Sequence, residues 1–489
     1  MFGLSFTPLR PLARWLAVGA VALCGLGGVA VAAPDDRATR EGFSETAVGY
    51  ILFRLDSGAV LEERQADHPF VPASVAKVPT VAAALGVLGA DHRFTTRLRA
   101  TGPVESGTLR GDLVLEGGGD PSLSSDGLGD LVEGLRKAGV TRVTGRLYYD
   151  TSLLPELSEI DPGQPWAAPY NTGIGALSVN FNRAQLAWTR PANGPATASV
   201  WSVADNGRTA LDSVTAVLAP NGAIPPLPSG PDRWLLPAKP DGNGRLWLPV
   251  ARPGLAAASL FRRLAGEAGV ALPAPQPGQA ASGKDGGKTG RVLASVDSPP
   301  LSELARSLLR YSNNLSAEMI GLAAARRIDP SVNRLNQSAL LLQTLLTRQV
   351  EANGATKGQT NWQGLRLVNH SGLGTGSLST PRQMAALLRL GGPALWALLP
   401  GEEDGKALPP GVHAKTGTLS YVKGLAGTLD SASGQRLGFA LFITDADRRR
   451  ALDAALDRRV TEPPAEARAW AGRARALQSG LLTDWMARY

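Results

Sequence analysis

The stretch that most constrains this chain is Pro72-Ala73-Ser74-Val75-Ala76-Lys77. Val75, Val78, Ala82, Leu85 and Leu88 recur at steps of three and four, the period of a helix with one buried face. Ser74 falls at the N-cap or first turn of that helix, and Lys77 follows three residues later on the same side. A serine hydroxyl is a poor nucleophile until a neighbouring base takes its proton, and a neutral lysine at this spacing can do so. The other reading is an N-cap serine beside a solvated lysine. Pro79 falls in the second turn of the expected helix. There it removes one backbone hydrogen bond and crowds the Val75 carbonyl, so the helix is expected to bend or shift register.

Two further sites give Ser74 its company. Ser312-Asn313-Asn314 joins two helical runs, Leu301–Arg310 and Leu315–Arg327, and Lys415-Thr416-Gly417-Thr418 lies in an alternating apolar stretch near the C-terminus. Ser-x-x-Lys, Ser-x-Asn and Lys-Thr-Gly in this order are the mark of penicilloyl-serine enzymes. The spacing, with a long stretch between Ser74 and Ser312, resembles the low-molecular-mass class C penicillin-binding proteins, the D-alanyl-D-alanine carboxypeptidases and endopeptidases. Similar too are Gly118-Gly119-Asp120-Pro121-Ser122-Leu123, Tyr149-Asp150-Thr151-Ser152, Gly175-Ala176-Leu177-Ser178-Val179-Asn180 and Ser371-Gly372-Leu373. The likeness runs from about Phe43 to the end. Two positions depart from the family habit: Asn313 and Asn369 stand where an acid is more usual.

The resemblance implies an α+β fold: a transpeptidase (β-lactamase-like) domain with an antiparallel sheet flanked by helices, carrying a large, mostly β insertion. It also implies acyl transfer without a cofactor. Ser74 is the nucleophile and Lys77 the base; Ser312 relays a proton and Asn314 holds a substrate amide. Lys415 and Thr416 bind the terminal carboxylate. The backbone N–H groups of Ser74 and Thr418 form the oxyanion hole, and Gly417 lets the substrate backbone approach. Burial and repulsion by Lys415 are both expected to lower Lys77 and keep it neutral. Asp150, after a strand in the inserted region, is a candidate for recognising an amino group on the peptide stem, or equally a strand-end cap. The partners implied are peptidoglycan stem peptides, with β-lactams as covalent inhibitors. A β-lactamase of the same fold and a binding domain that acylates without turnover are the competing readings.

The chain divides on composition and pattern. Arg10 and Arg14 precede an apolar run from Trp15 to Val31 that ends in Ala30-Val31-Ala32, which reads as an export signal over 1–32; a retained anchor is the alternative. Cleavage after Ala32 removes Cys24, the sole cysteine, so neither thiol chemistry nor a cysteine metal site is expected. Residues 33–93 are the N-terminal part of the enzyme domain, 94–285 the inserted region (as one or two subdomains), and 286–489 the C-terminal part. A Pro/Gly-rich linker ends in Gly286-Gly287-Lys288-Thr289-Gly290, a second Lys-Thr-Gly close to a phosphate loop, but the position needing Gly is Ser282, so it reads as a loop.

A net charge of +8 suits an anionic envelope polymer. No basic block interleaved with aromatics points to nucleic acid. Only four His occur, with no zinc-like spacing, and no Gly-x-Ser-x-Gly elbow supports a Ser-His-Asp hydrolase. A second Ser-x-x-Lys, Ser420 to Lys423, lies within a strand-like run and is given no catalytic role. The last helix puts Trp470, Ala474, Leu477, Leu481 and Trp485 on one face, for packing on the sheet or for lying on a membrane surface.

Overall fold

The apolar runs from the two ends of the chain meet in one sheet. In the computed structural model, which describes residues 34–279, 290–353 and 360–489, Val48–Arg54 pairs antiparallel with Arg436–Thr444. The five strands lie in the order Val412–Leu419, Val422–Asp430, Arg436–Thr444, Val48–Arg54, Val60–Arg64. Successive side chains on a strand point to opposite faces, and here both faces are covered. Ile51, Phe53, Ala440 and Phe442 join a core beneath the helices Lys77–Leu88, Asn314–Ile328 and Pro381–Trp396. Tyr50, Leu52, Phe439 and Leu441 face the last helix, Ala465–Arg488, with Trp470, Ala474, Leu477, Leu481 and Trp485 buried against them. That helix therefore packs on the sheet. Among the described residues no helix is long and apolar enough to cross a membrane.

The Ser74 segment differs from the one-faced helix expected of it. Ala73–Ala76 forms a 3-10 turn and the α-helix begins only at Lys77. Pro79 explains the break. Within the first α-helical turn its missing N–H costs nothing, whereas a continuous α-helix from Ser74 would need it. The helix is central as well, with Lys77, Val78, Thr80, Val81, Ala83 and Ala84 all buried, so the period of three and four marks only part of what it hides.

Between Thr95 and Asp297 the chain builds a second body around its own core, which runs from Leu98 through Leu186 and Trp234 to Phe261. A five-stranded sheet has the order Pro275–Pro277, Leu147–Asp150, Leu113–Glu116, Thr95–Ala100, Arg291–Asp297. Leu113–Glu116 and Leu147–Asp150 are parallel and joined through the helix Ser125–Lys137, as a parallel pair requires. Four-stranded and three-stranded sheets complete the region. Arg291–Asp297, beyond the boundary expected at 285, pairs with Thr95–Ala100. The export segment 1–32, the Lys288-Thr289-Gly290 motif up to Thr289, and the 285/286 position itself lie outside the described residues.

Trp485, fully buried, stacks edge-on against Tyr50 and donates its indole N–H to Glu62. Trp485→Ala is expected to destabilise the protein by about 3–5 kcal/mol, read as a lowered denaturant midpoint. Arg473→Ala, on the exposed side of the same helix, should move it by less than about 0.5 kcal/mol.

Candidate active site

In a 3-10 turn, side chains three apart eclipse one another. The break before Lys77 thus stacks Ser74 and Lys77 directly, with the lysine Nζ 3.0 Å from Ser74 Oγ. Ala73, just before the serine, is held at φ 47°, a left-handed conformation that a non-glycine residue adopts at a cost. Two glycines pack closely against the carbonyls on either side of it. A Cβ at Gly372 would lie 1.9 Å from the Ala73 carbonyl oxygen, and one at Gly417 would lie 2.6 Å from the Pro72 carbonyl oxygen.

Lys77 is fully buried and has three partners. Nζ lies 2.8 Å from Asn314 Oδ1 and 2.7 Å from the Ser371 carbonyl oxygen, besides Ser74 Oγ. Burial lowers the ammonium to about 7, and the nearby Glu318 carboxylate acts in the opposite direction. Burial, one of the two causes expected, comes first for Lys77. The repulsion expected between Lys77 and Lys415 appears on Lys415, which is pushed well below its ordinary value, first by burial, then by Lys77 and Lys406.

Glu318 was not singled out from sequence. It sits one helical turn after Asn314 and is fully buried. Its two oxygens accept the backbone N–H groups of His370 and Ser371, at 2.9 and 2.8 Å. This anchors the loop whose Ser371 carbonyl meets Lys77. Burial raises the Glu318 carboxyl above its usual range, against these hydrogen bonds. His370, held neutral by burial at about 3, closes the same layer through Ser338 Oγ, 2.7 Å from Nε2. The one signal in the sequence is an acid alone in an apolar helical run, four residues after Asn314.

The two departures from the family habit have local reasons. Asn313 caps its helix, accepting from Ser316 N at 2.9 Å, and so points away from Lys77. Asn369 accepts from Gly372 N and donates to the Leu373 carbonyl oxygen, both at 2.8 Å. Ser312 terminates the preceding helix in a left-handed conformation, φ 56°, which turns it toward the cleft.

A cleft of about 770 Å³ opens over Ser74. Ser312, Asn314, Gly372 and Leu373 line one part of it, Thr418, Leu419 and Ser420 another. Thr418 and Leu419 reach it from Val412–Leu419, the edge strand of the sheet, which leaves one side of its backbone unpaired for a substrate strand. Lys415 itself is buried, with Nζ donating to the Thr416 carbonyl oxygen at 2.7 Å.

The inserted body supplies a wall that the sequence did not announce. Gly163, Gln164, Pro165 and Tyr170 line the cleft, and the Tyr170 carbonyl oxygen accepts from Asn314 Nδ2 at 3.1 Å. Arg458 ties this wall to the C-terminal segment. It pairs with Glu159 and donates to the Gln164 carbonyl oxygen, and its own carbonyl oxygen accepts from Trp166 N, both at 2.8 Å. Asp150 does not line the cleft. It is buried at its strand end and accepts from Ser152 N at 2.9 Å, which is the capping role. An acid following a strand carries both readings in sequence, and its burial favours the cap.

Comparisons with known proteins point to one family, and with solved structures to one fold. A family model described as D-Ala-D-Ala carboxypeptidase 3 (S13) matches residues 31–395 and 402–462. A D-alanyl-D-alanine carboxypeptidase of Actinomadura sp. (strain R39) is 31% identical over 431 residues, covering 80% of this chain and 77% of the relative. D-alanyl-D-alanine carboxypeptidase DacB of Haemophilus influenzae is 25% identical over 434 residues, covering 81% and 85%. The crystal structure of penicillin binding protein 4 (dacB) from Haemophilus influenzae, complexed with a β-lactam, has a TM-score of 0.70 at 20% identity. That match covers 93% of this chain and 99% of the other, and it shows the shared α+β fold.

Gly372→Ala places a Cβ against the Ala73 carbonyl at a backbone conformation of φ +70°. It is expected to destabilise the protein by more than about 1 kcal/mol, measured as a lowered unfolding midpoint. Gly86→Ala, where a Cβ meets open space in a helix, should stabilise slightly.

Proposed function

The chain belongs to the D-Ala-D-Ala carboxypeptidase 3 (S13) family, and from that membership we infer which of its residues carry the reaction. It is a serine-type D-Ala-D-Ala carboxypeptidase. The observation that carries the assignment of roles is the hydrogen bonding of Lys77. Asn314 Oδ1 and the Ser371 carbonyl can only accept, so both N–H bonds of a neutral Lys77 are used on them. The lone pair is then left for the remaining neighbour, the Ser74 hydroxyl.

In this reading Lys77 takes the Ser74 proton as Oγ attacks the carbonyl of the D-Ala-D-Ala bond. The negative charge on the former carbonyl oxygen is met by the backbone N–H groups of Ser74 and Thr418, each worth about 10²–10³ in rate. The proton passes through Ser312 to the leaving nitrogen, the C–N bond breaks, and D-alanine departs. Water then hydrolyses the acyl-enzyme. Lys415 and Thr416 hold the terminal carboxylate. Asn314 has a second task beyond the substrate amide, because it fixes Lys77. Peptidoglycan stem peptides are the substrates and β-lactams acylate the same serine. Endopeptidase action on cross-links is the natural extension of the same chemistry. We read 94–297 as an inserted domain whose loop walls the cleft, and residues 1–32 as an export signal that delivers the enzyme to the periplasm or cell envelope.

A labelled penicillin should modify Ser74 alone, and Ser74→Ala should abolish both the adduct and D-alanine release from a pentapeptide stem. An adduct on Ser420 would overturn the assignment. Mass mapping of the labelled peptide checks it.

The base must be neutral, so acylation should rise with pH through the Lys77 value of about 7 and fall about tenfold per unit below it. Lys415→Met should raise KM and, because repulsion between the two lysines is mutual, move this acid limb to higher pH. Glu318→Gln removes a charge that raises Lys77, so the limb should move to lower pH. Acylation by a saturating β-lactam followed against pH separates the three proteins.

A further inference from the structure

Lys423 lies outside every role given so far, yet it sits directly across from Thr418 in the paired strands. Its Nζ is 2.7 Å from Thr418 Oγ1. Thr418 lines the cleft and is exposed there, on the same side of the edge strand as Thr416.

A threonine hydroxyl has one hydrogen to give and two lone pairs to receive with. A lysine ammonium has three hydrogens and no lone pair, so in this contact the Thr418 oxygen accepts. Burial, and after it the Arg475 charge on the last helix, lower Lys423 to about 8, which leaves it mostly an ammonium at neutral pH. The Thr418 hydrogen is therefore directed away from Lys423. A hydroxyl whose oxygen already accepts from a cation is also the stronger donor. On the cleft side, the acceptor that suits such a donor is an anion.

We propose that Lys423 is a positioning residue for substrate recognition: it fixes the Thr418 hydroxyl as a donor into the cleft, where that hydroxyl binds the carboxylate on the departing residue. This rests on the reading of the cleft as the D-Ala-D-Ala acyl-transfer site. Lys423 touches no reacting atom and acts through Thr418. The inference also accounts for the second Ser-x-x-Lys of the sequence. Its lysine turns to the threonine across the hairpin, and its serine carbonyl accepts from Arg449 at 3.3 Å.

The test uses two acyl-D-alanyl thioesters that differ only in the leaving group, mercaptoacetate with a carboxylate and mercaptoethanol without one. The readout is the ratio of their kcat/KM values. The native protein should prefer mercaptoacetate, and Lys423→Met should lower that preference about tenfold, chiefly through KM. Lys423→Arg should keep most of it. In a Thr418→Val background Lys423→Met should lower it no further, because the hydroxyl it acts through is gone. The same comparison with Lys423→Gln, which retains an N–H on a shorter stem, covers a Met variant that does not fold. An unchanged ratio in Lys423→Met, an equal fall on both thioesters, or a full effect in the Thr418→Val background overturns the proposal while leaving the acyl-transfer reading intact. If the native protein cleaves neither thioester and Ser74 takes no penicillin, both fall together.

Discussion

The site depends on keeping one ammonium-bearing side chain out of water. Lowering a lysine from its ordinary value to about 7 corresponds to a differential on the order of 5 kcal/mol between its two protonation states. That difference is maintained only while the surroundings stay closed. The helix Lys77–Leu88 is buried on nearly every side, so water cannot reach Nζ from behind. The acceptors arrive from two other elements, Asn314 from the start of a helix and Ser371 from a loop that Glu318 anchors by two backbone bonds. Glu318 limits how far the shift can go, since its charge favours the ammonium. Burial and one counter-charge together leave a base poised near neutrality, where general-base catalysis is most effective.

Much of this was legible in the sequence, and for identifiable reasons. Motif order and spacing singled out Ser74, Lys77, Ser312, Asn314 and Lys415, the first four at the ends of elements whose period could be read and Lys415 within an alternating strand. Pro79 announced a break, and the break proved to be the device that stacks Ser74 on Lys77. What stayed hidden depends on tertiary neighbours. One-faced periodicity cannot reveal a helix packed on nearly every side. Ala73 is left-handed where the chain at Gly372 and Gly417, far away in sequence, packs against its neighbouring carbonyls. Nothing local in the Gln164–Tyr170 loop says that it will reach Asn314. Asp150 shows the converse: its strand-end position was readable, but its burial away from the cleft was not.

The inserted body makes the cleft a joint construction. Its wall is held to the C-terminal segment by Arg458, which uses its side chain on Glu159 and Gln164 and its backbone on Trp166. A guanidinium suits this junction because it spreads several donors in one plane, where an ammonium is a single point of charge. The wall and Lys77 are also linked, since Asn314 donates to Tyr170 and accepts from Lys77 with the two ends of one amide. Any movement of the loop at Tyr170 is therefore felt at the base through a single side chain.

Asn369 shows why an amide serves well where an acid is the more usual residue. The turn there needs an acceptor for Gly372 N and a donor for the Leu373 carbonyl. A carboxylate could meet the first but would turn a second acceptor toward the carbonyl. It would also bring another buried negative charge to the loop that already carries Glu318 against its backbone, two residues from the carbonyl that holds Lys77. Negative charge in this layer favours the ammonium and so works against the base. The amide satisfies both backbone groups and leaves Glu318 as the charge that opposes the burial of Lys77, so the loop keeps its shape without returning Lys77 to the protonated form.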